Sequence, residues 1–167
     1  MSAFPYIFAA LSPISWRARL ASARGSVMIK WLNAIRWAYR IYIVEDSAIL
    51  LRLLIEMLSG IAGAFVVGHS AHAEQAIREI PEVMPDAIIV DLMLTTGTGY
   101  DVMRALARQG TTMPVVIVLT NLTMAPHPTW AASMGATYFF DKSTEIVKMF
   151  RVINELVKAH RRTAFRI

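Results

Sequence analysis

From Ile41 onward, short apolar runs alternate with amphipathic stretches, and each change of rhythm marks an expected element. Runs at about 40–45, 64–68, 86–91, 114–119 and 137–140 read as strands. Ala87-Ile88-Ile89-Val90 and Val115–Leu119 are apolar at every position, so both faces of these strands should be covered, as in a parallel sheet between helices. Helical stretches are expected at about 47–59, 71–80, 99–109, 125–134 and 144–160. In the first of them Ala48, Leu51, Leu54, Ile55 and Leu58 repeat at helical spacing, and Gly60 stops the helix. Ser70 is placed to cap the second, with Glu74 in its first turn. Pro81 and Pro85 bracket the turn into the third strand, and Pro114 opens the fourth. Five successive βα units predict an α/β fold, a doubly wound five-stranded parallel sheet in a three-layer (βα)5 sandwich.

Residues 1–40 do not share this rhythm. The 167-residue chain, 56% hydrophobic, suits one domain plus an extension: an N-terminal extension over 1–39, a domain over 40–160 and a short basic tail over 161–167. Residues 1–44 hold six basic groups (Arg17, Arg19, Arg24, Lys30, Arg36, Arg40) and no acid, whereas the remainder holds eleven basic and twelve acidic groups. The formal charge of +5 therefore belongs to the extension and gives no reason to read the domain as a nucleic-acid binder. The absence of cysteine excludes a disulfide framework, a thiolate metal site and a cysteine nucleophile, and fits a cytoplasmic location. Met1–Trp16 is broken by Pro5 and Pro13, is too short to span a bilayer, and fits a secretory signal poorly. Val27, Trp31 and Ile35 fall on one helical face, amid basic residues and near Trp16 and Trp37. Three readings stand side by side: an interfacial helix at the inner face of a membrane, a helix docked on a partner or on the domain, and a natural start at Met28. The same acid-free composition also suits an organelle transit peptide.

Chemistry concentrates where the expected strands run out. Glu45-Asp46 follow Ile41–Val44, Asp91 follows Ala87–Val90, Thr120 follows Val115–Leu119, and Lys142 follows Thr137–Phe140. In an open parallel sheet the ligand site lies outside these carboxyl ends, so the groups should converge. Neighbouring carboxylates of Asp46 and Asp91 would repel unless one took a proton or a cation lay between them. Mg²⁺ meets that need with hard oxygen ligands and retained waters, Glu45 acting through water and the backbone carbonyl of Met93 completing the shell. Lys142 can neutralise phosphoryl oxygens, and the Thr120 hydroxyl can hydrogen-bond the same group. Taken singly, each is as well explained as a helix cap or a loop residue; their order and spacing carry the signal. His69 and His72, three apart, lack a third ligand for a metal site.

The chain resembles the receiver domain of two-component response regulators, the flavodoxin-like fold of the chemotaxis response regulator. The resemblance runs from about Arg40 to Leu156. It rests on Ile-Tyr-Ile-Val-Glu45-Asp46-Ser47, Ile-Ile-Val-Asp91-Leu-Met-Leu, the turn Gly97-Thr98-Gly99-Tyr100, Val-Leu-Thr120-Asn121, and Gly135-Ala136 leading to Phe-Phe-Asp-Lys142. It implies that Asp91 accepts a phosphoryl group from a sensor histidine kinase or histidine phosphotransfer protein. Glu45 and Asp46 would bind Mg²⁺, and Lys142 would contact the phosphoryl oxygens. Thr120 and Phe139 would form the switch that signals to a downstream target protein. Such a receiver catalyses only its own phosphorylation and dephosphorylation. Departures are Ser143 where the family usually has proline, Asn121 where a small residue is common, and Pro126 and Pro128 at the start of the fourth helix.

Two rivals differ in class. A degenerate receiver would dock independently of phosphorylation. A haloacid-dehalogenase-type phosphatase would need an Asp-x-Asp pair after its first strand, and Asp91 is followed by Leu92 and Met93. No DNA partner is expected, because only seven residues (161–167) follow the last helix.

Overall fold

A computed structural model of the chain describes residues 37–109, 113–122, 124 and 127–164. The readings made for residues 1–36 and for Pro126 lie outside these. The elements alternate as β1 (Tyr39–Val44), α1 (Ala48–Ser59), β2 (Ala64–Ser70), α2 (Ala73–Val83), β3 (Ala87–Val90), α3 (Gly99–Arg108), β4 (Val115–Thr120), α4 (His127–Ser133), β5 (Tyr138–Asp141) and α5 (Ile146–Ala164). All pairings are parallel, in the order β2-β1-β3-β4-β5. This is the expected doubly wound sheet.

Alternate residues of the central strands feed two cores. Tyr42, Val44, Ile88, Val90, Val116 and Val118 pack with buried residues of α2, α3 and α4. Ile41, Ile43, Ala87, Ile89, Ile117 and Leu119 pack with Leu54 and Leu58 of α1 and with Met149, Phe150, Ile153 and Val157 of α5. Burial on both faces explains why these strands are apolar throughout.

Several boundaries differ from expectation. Tyr39, assigned to the extension, is buried and begins β1, its N–H bonded to Gly63 O at 2.8 Å. Helix α2 does not stop before Pro81 but passes through it to Val83. Proline removes one ladder bond there, yet Ile80 and Val83 remain buried on the core and hold the last turn. Met84, in the left-handed region at φ 44°, closes the helix by donating to Ile80 O at 2.9 Å. The Arg40 guanidinium donates to the free carbonyls of Val83 and Met84, where a cation also suits the helix dipole.

Ser70 is not the cap of α2. It ends β2, and its hydroxyl accepts from His72 N at 3.0 Å and donates to His72 O at 2.8 Å, leaving His72 as N-cap without a side-chain bond. Helix α4 has only seven residues, with Pro128 tolerated in its first turn, where backbone N–H groups lack partners in any case. Arg161 and Arg162, expected in a tail, instead form the last turn of α5, and Arg161 donates to Ala62 O at 3.5 Å. Among the described residues no helix is long and apolar enough to cross a membrane.

Candidate functional site

Strand register brings the strand-end residues together. Val44 pairs with Val90, and Asp91 N donates to Val44 O at 3.0 Å, which sets Asp91 beside Glu45. Thr120 pairs with Asp141, and Lys142 N continues that ladder to Thr120 O at 3.0 Å. From this position the Lys142 ammonium lies 2.6 Å from Asp91 Oδ2 and 2.8 Å from Glu45 Oε2. The three side chains are only 12%, 6% and 2% exposed, respectively, so little water lies between them.

Each of Glu45, Asp46 and Asp91 has a carboxylate oxygen within 4.8 Å of the others. Among the described residues this is the one group of three or more potential ligands, and neither His69 nor His72 belongs to it. Asp46 leans to the rim, where Thr95 donates to its Oδ2 from N at 2.8 Å and from Oγ1 at 2.5 Å. Asp91 Oδ1 accepts from Met93 N at 3.1 Å, which ties down the second residue of the loop. The buried Thr120 hydroxyl accepts from Leu122 N at 3.3 Å. Phe139 is partly buried against the α2–α4 core, whereas its neighbour Phe140 is buried in the other.

Burial pushes the Glu45 carboxyl above the ordinary carboxylate range, and the Lys142 ammonium and Ser47 N–H offset this only in part. For Lys142 burial opposes the charge, but hydrogen bonds to Asp91 and Glu45 outweigh it and hold the ammonium above its usual value. The Thr95 hydroxyl is the main cause of a lowered Asp46. Three carboxylates against one ammonium leave the site negative. Hard oxygen donors this close, with a charge deficit to fill, suit a small divalent cation.

The ends of β1, β3 and β5 thus bring Glu45, Asp91 and Lys142 together. Asp46, the most exposed carboxylate, completes the acidic cluster, and Thr120 ends β4 with its hydroxyl accepting from Leu122 N. The sequence does not single out Thr95, because a threonine in a polar loop gives no signal that it grips a carboxylate 49 positions away. The turn after Asp91 was recognisable. Gly97, at φ 76°, and Thr98, which forms a capping box with Asp101, lead into α3, whose first residue Gly99 abuts the Asp91 carbonyl.

Residues 41–154 match the response regulator receiver domain family. A protein-glutamate methylesterase/protein-glutamine glutaminase of Koribacter versatilis is 28% identical over 107 residues, 64% of this chain and 29% of that protein. The response regulator GacA of Pseudomonas viridiflava is 28% identical over 114 residues, 68% of this chain and 53% of that protein. The chain spans roughly a third to a half of these curated relatives' length. The response regulator domain of Thermotoga maritima CheB superposes with a TM-score of 0.60 at 22% identity, covering 78% of this chain and 98% of that one. An acidic cluster at the ends of β1 and β3, bridged by a lysine from the end of β5, is thus joined to a sequence match over most of the sheet. This chain belongs to the receiver domains of response regulators, the phosphoryl-accepting modules of two-component signal transduction.

Proposed function

We propose that Asp91 is the phosphoryl acceptor. A carboxylate oxygen of Asp91 attacks the phosphorus of a phosphohistidine on a sensor kinase or phosphotransfer protein. The new P–O bond replaces the P–N bond, and the imidazole leaves with a proton. The observation that carries this reading is the Lys142 ammonium held between Asp91 and Glu45, with Thr120 one strand away. Lys142 neutralises phosphoryl oxygens as they arrive, and positioning with charge neutralisation is most of what phosphoryl transfer asks of a protein. Glu45, Asp46, Asp91 and the Met93 carbonyl would hold Mg²⁺, which supplies further charge neutralisation when bound. Thr120 and Phe139 form the switch: the hydroxyl exchanges its Leu122 contact for the new phosphoryl oxygens, and Phe139 follows inward. The domain acts in the cytoplasm by docking to other proteins, with no chemistry beyond its own phosphorylation and hydrolysis.

Acetyl phosphate with Mg²⁺, read by phosphate-affinity gel, tests this on wild type and Asp91→Asn. A Mg²⁺-dependent shifted band lost in the variant is expected. Absence of both that band and a beryllofluoride complex in the wild type would leave a phosphorylation-independent docking module. Mg²⁺ itself is expected to raise the thermal midpoint, since a ligand of the native state at several times its Kd adds about 1 kcal/mol. Asp46→Asn keeps the side chain's shape, removes one charge from the cluster, and should abolish most of that rise. An equal rise in the variant would exclude Asp46 as a ligand.

A further inference from the structure

Lys142 carries the charge that meets the phosphoryl group, so whatever fixes its backbone fixes that charge. On the strand side its N–H is bound to Thr120 O. On the helix side the constraint comes from Asp141. The Asp141 Oδ1 atom accepts from Ser143 N at 2.6 Å, from Thr144 N at 3.1 Å and from the Ser143 hydroxyl. Its main-chain carbonyl accepts from Glu145 N at 2.9 Å, and Glu145 Oε2 returns to accept from Asp141 N at 3.2 Å. Lys142 therefore sits inside a closed ring of hydrogen bonds running from residue 141 to 145.

Side-chain burial seats the helix, although Glu145 O of the ring also accepts from Met149 N at 2.9 Å. The buried side chains of Met149, Phe150, Ile153 and Val157 anchor α5, and Phe140 anchors the end of β5. The ring spans the short stretch between these two anchored elements. The resemblance to receivers places proline at position 143, where its ring would limit the turn. Ser143 lacks that restraint but offers the N–H that proline lacks, and Asp141 takes it. The anion is the form of the carboxyl suited to three donors, and the Ser143 hydroxyl and the neighbouring backbone N–H groups hold Asp141 below the ordinary carboxylate range.

We propose that Asp141 is a positioning residue for Lys142: its carboxylate locks the 142–144 backbone so that the ammonium stays between Glu45 and Asp91. The effect on phosphorylation rests on the phosphoryl-transfer reading above; the effect on the ammonium does not.

Two readouts separate these. Lysine ammonium groups shielded from exchange give resolved signals in a ¹H–¹⁵N spectrum, and the Lys142 signal is identified by its loss in Lys142→Met. Asp141→Ala is expected to broaden that signal beyond detection and to slow acetyl-phosphate labelling by roughly tenfold to a hundredfold, the usual cost of a group displaced by about 1 Å. Its thermal midpoint should stay within a few degrees of wild type. Adding Ser143→Pro to Asp141→Ala should restore part of both readouts, and Asp141→Asn, which retains an acceptor oxygen, should lose less than alanine. Wild-type signal and rate in Asp141→Ala would overturn the proposal. If Asp141→Ala does not fold, Asp141→Asn decides: a weakened Lys142 signal in a folded protein supports the role, and an unchanged one overturns it. A wild type that neither becomes labelled nor forms a beryllofluoride complex refutes the phosphoryl-transfer reading, while the ammonium signal still judges Asp141.

Discussion

Lys142→Met is expected to cost about 3 kcal/mol at neutral pH, with a penalty that shrinks as the pH is lowered. Among the described residues the ammonium is the one cation within hydrogen-bond distance of Glu45 and Asp91, and all three side chains are nearly buried. Methionine fills much of the volume but leaves two carboxylates facing each other with no counter-charge. Removing one member of a buried pair costs about 3–5 kcal/mol, and a site at the rim of the sheet belongs at the lower end. The pH dependence follows from Glu45. Burial already holds its carboxyl above the ordinary value of 4.5, and Lys142 is the main group pulling it back. Without Lys142 it rises further. A carboxyl raised in the native state binds more protons there than in the unfolded chain, so stability falls as pH rises through that window. Below the ordinary carboxylate value both states are protonated and this part of the penalty vanishes. Urea unfolding of wild type and variant from pH 4.5 to 8 tests it. A difference under about 1 kcal/mol, or one that does not change with pH, would show that the bridge contributes little.

The parts of this fold that were legible in the chain are those where one physical requirement dominates. Strands buried on both faces must be apolar at every position, so β3 and β4 declared themselves. Ligand groups of a parallel sheet must stand at the strand ends, so Asp91, Thr120 and Lys142 could be found by counting from the apolar runs. Where two requirements compete, local signals misled. Pro81 signals a stop, but the burial of Ile80 and Val83 carried α2 past it. Ser70 has the chemistry of an N-cap, but the last β2 position claimed it first. Thr95 reaches Asp46 from a loop, and Asp141 ends β5 but bonds into the turn that follows, contacts that composition does not encode. The substitution of Ser143 for proline was visible; its compensation by Asp141 required coordinates.

Gly99→Ala is expected to destabilise the domain by about 3 kcal/mol and to slow phosphoryl labelling at least tenfold, though residue 99 takes no part in the chemistry. Gly99 opens α3 and donates to Leu92 O at 3.1 Å. A Cβ there would lie 2.3 Å from Asp91 O, 2.9 Å from Val90 Cγ2 and 3.0 Å from the Asp91 carbonyl carbon. Two of these atoms are backbone and cannot turn away as a side-chain tip can. Either α3 lifts off, disturbing buried Val102, Met103 and Leu106, or the end of β3 moves and carries the Asp91 carboxylate away from Lys142. The first route weakens packing and the second misplaces the acceptor; any mixture shows in both measurements. Gly60→Ala is the matched control. Gly60 lies at the end of α1 with φ −76°, and a Cβ would approach only Met57 O, at 3.3 Å, so it should be neutral or slightly stabilising through the unfolded chain. Urea midpoints and initial labelling rates for the two variants decide the matter. If Gly99→Ala keeps wild-type values in both, the close seat of α3 on the Asp91 backbone is not what sets the acceptor. If it loses both while Gly60→Ala loses neither, the position of Asp91 depends on a helix start that only glycine can press against β3.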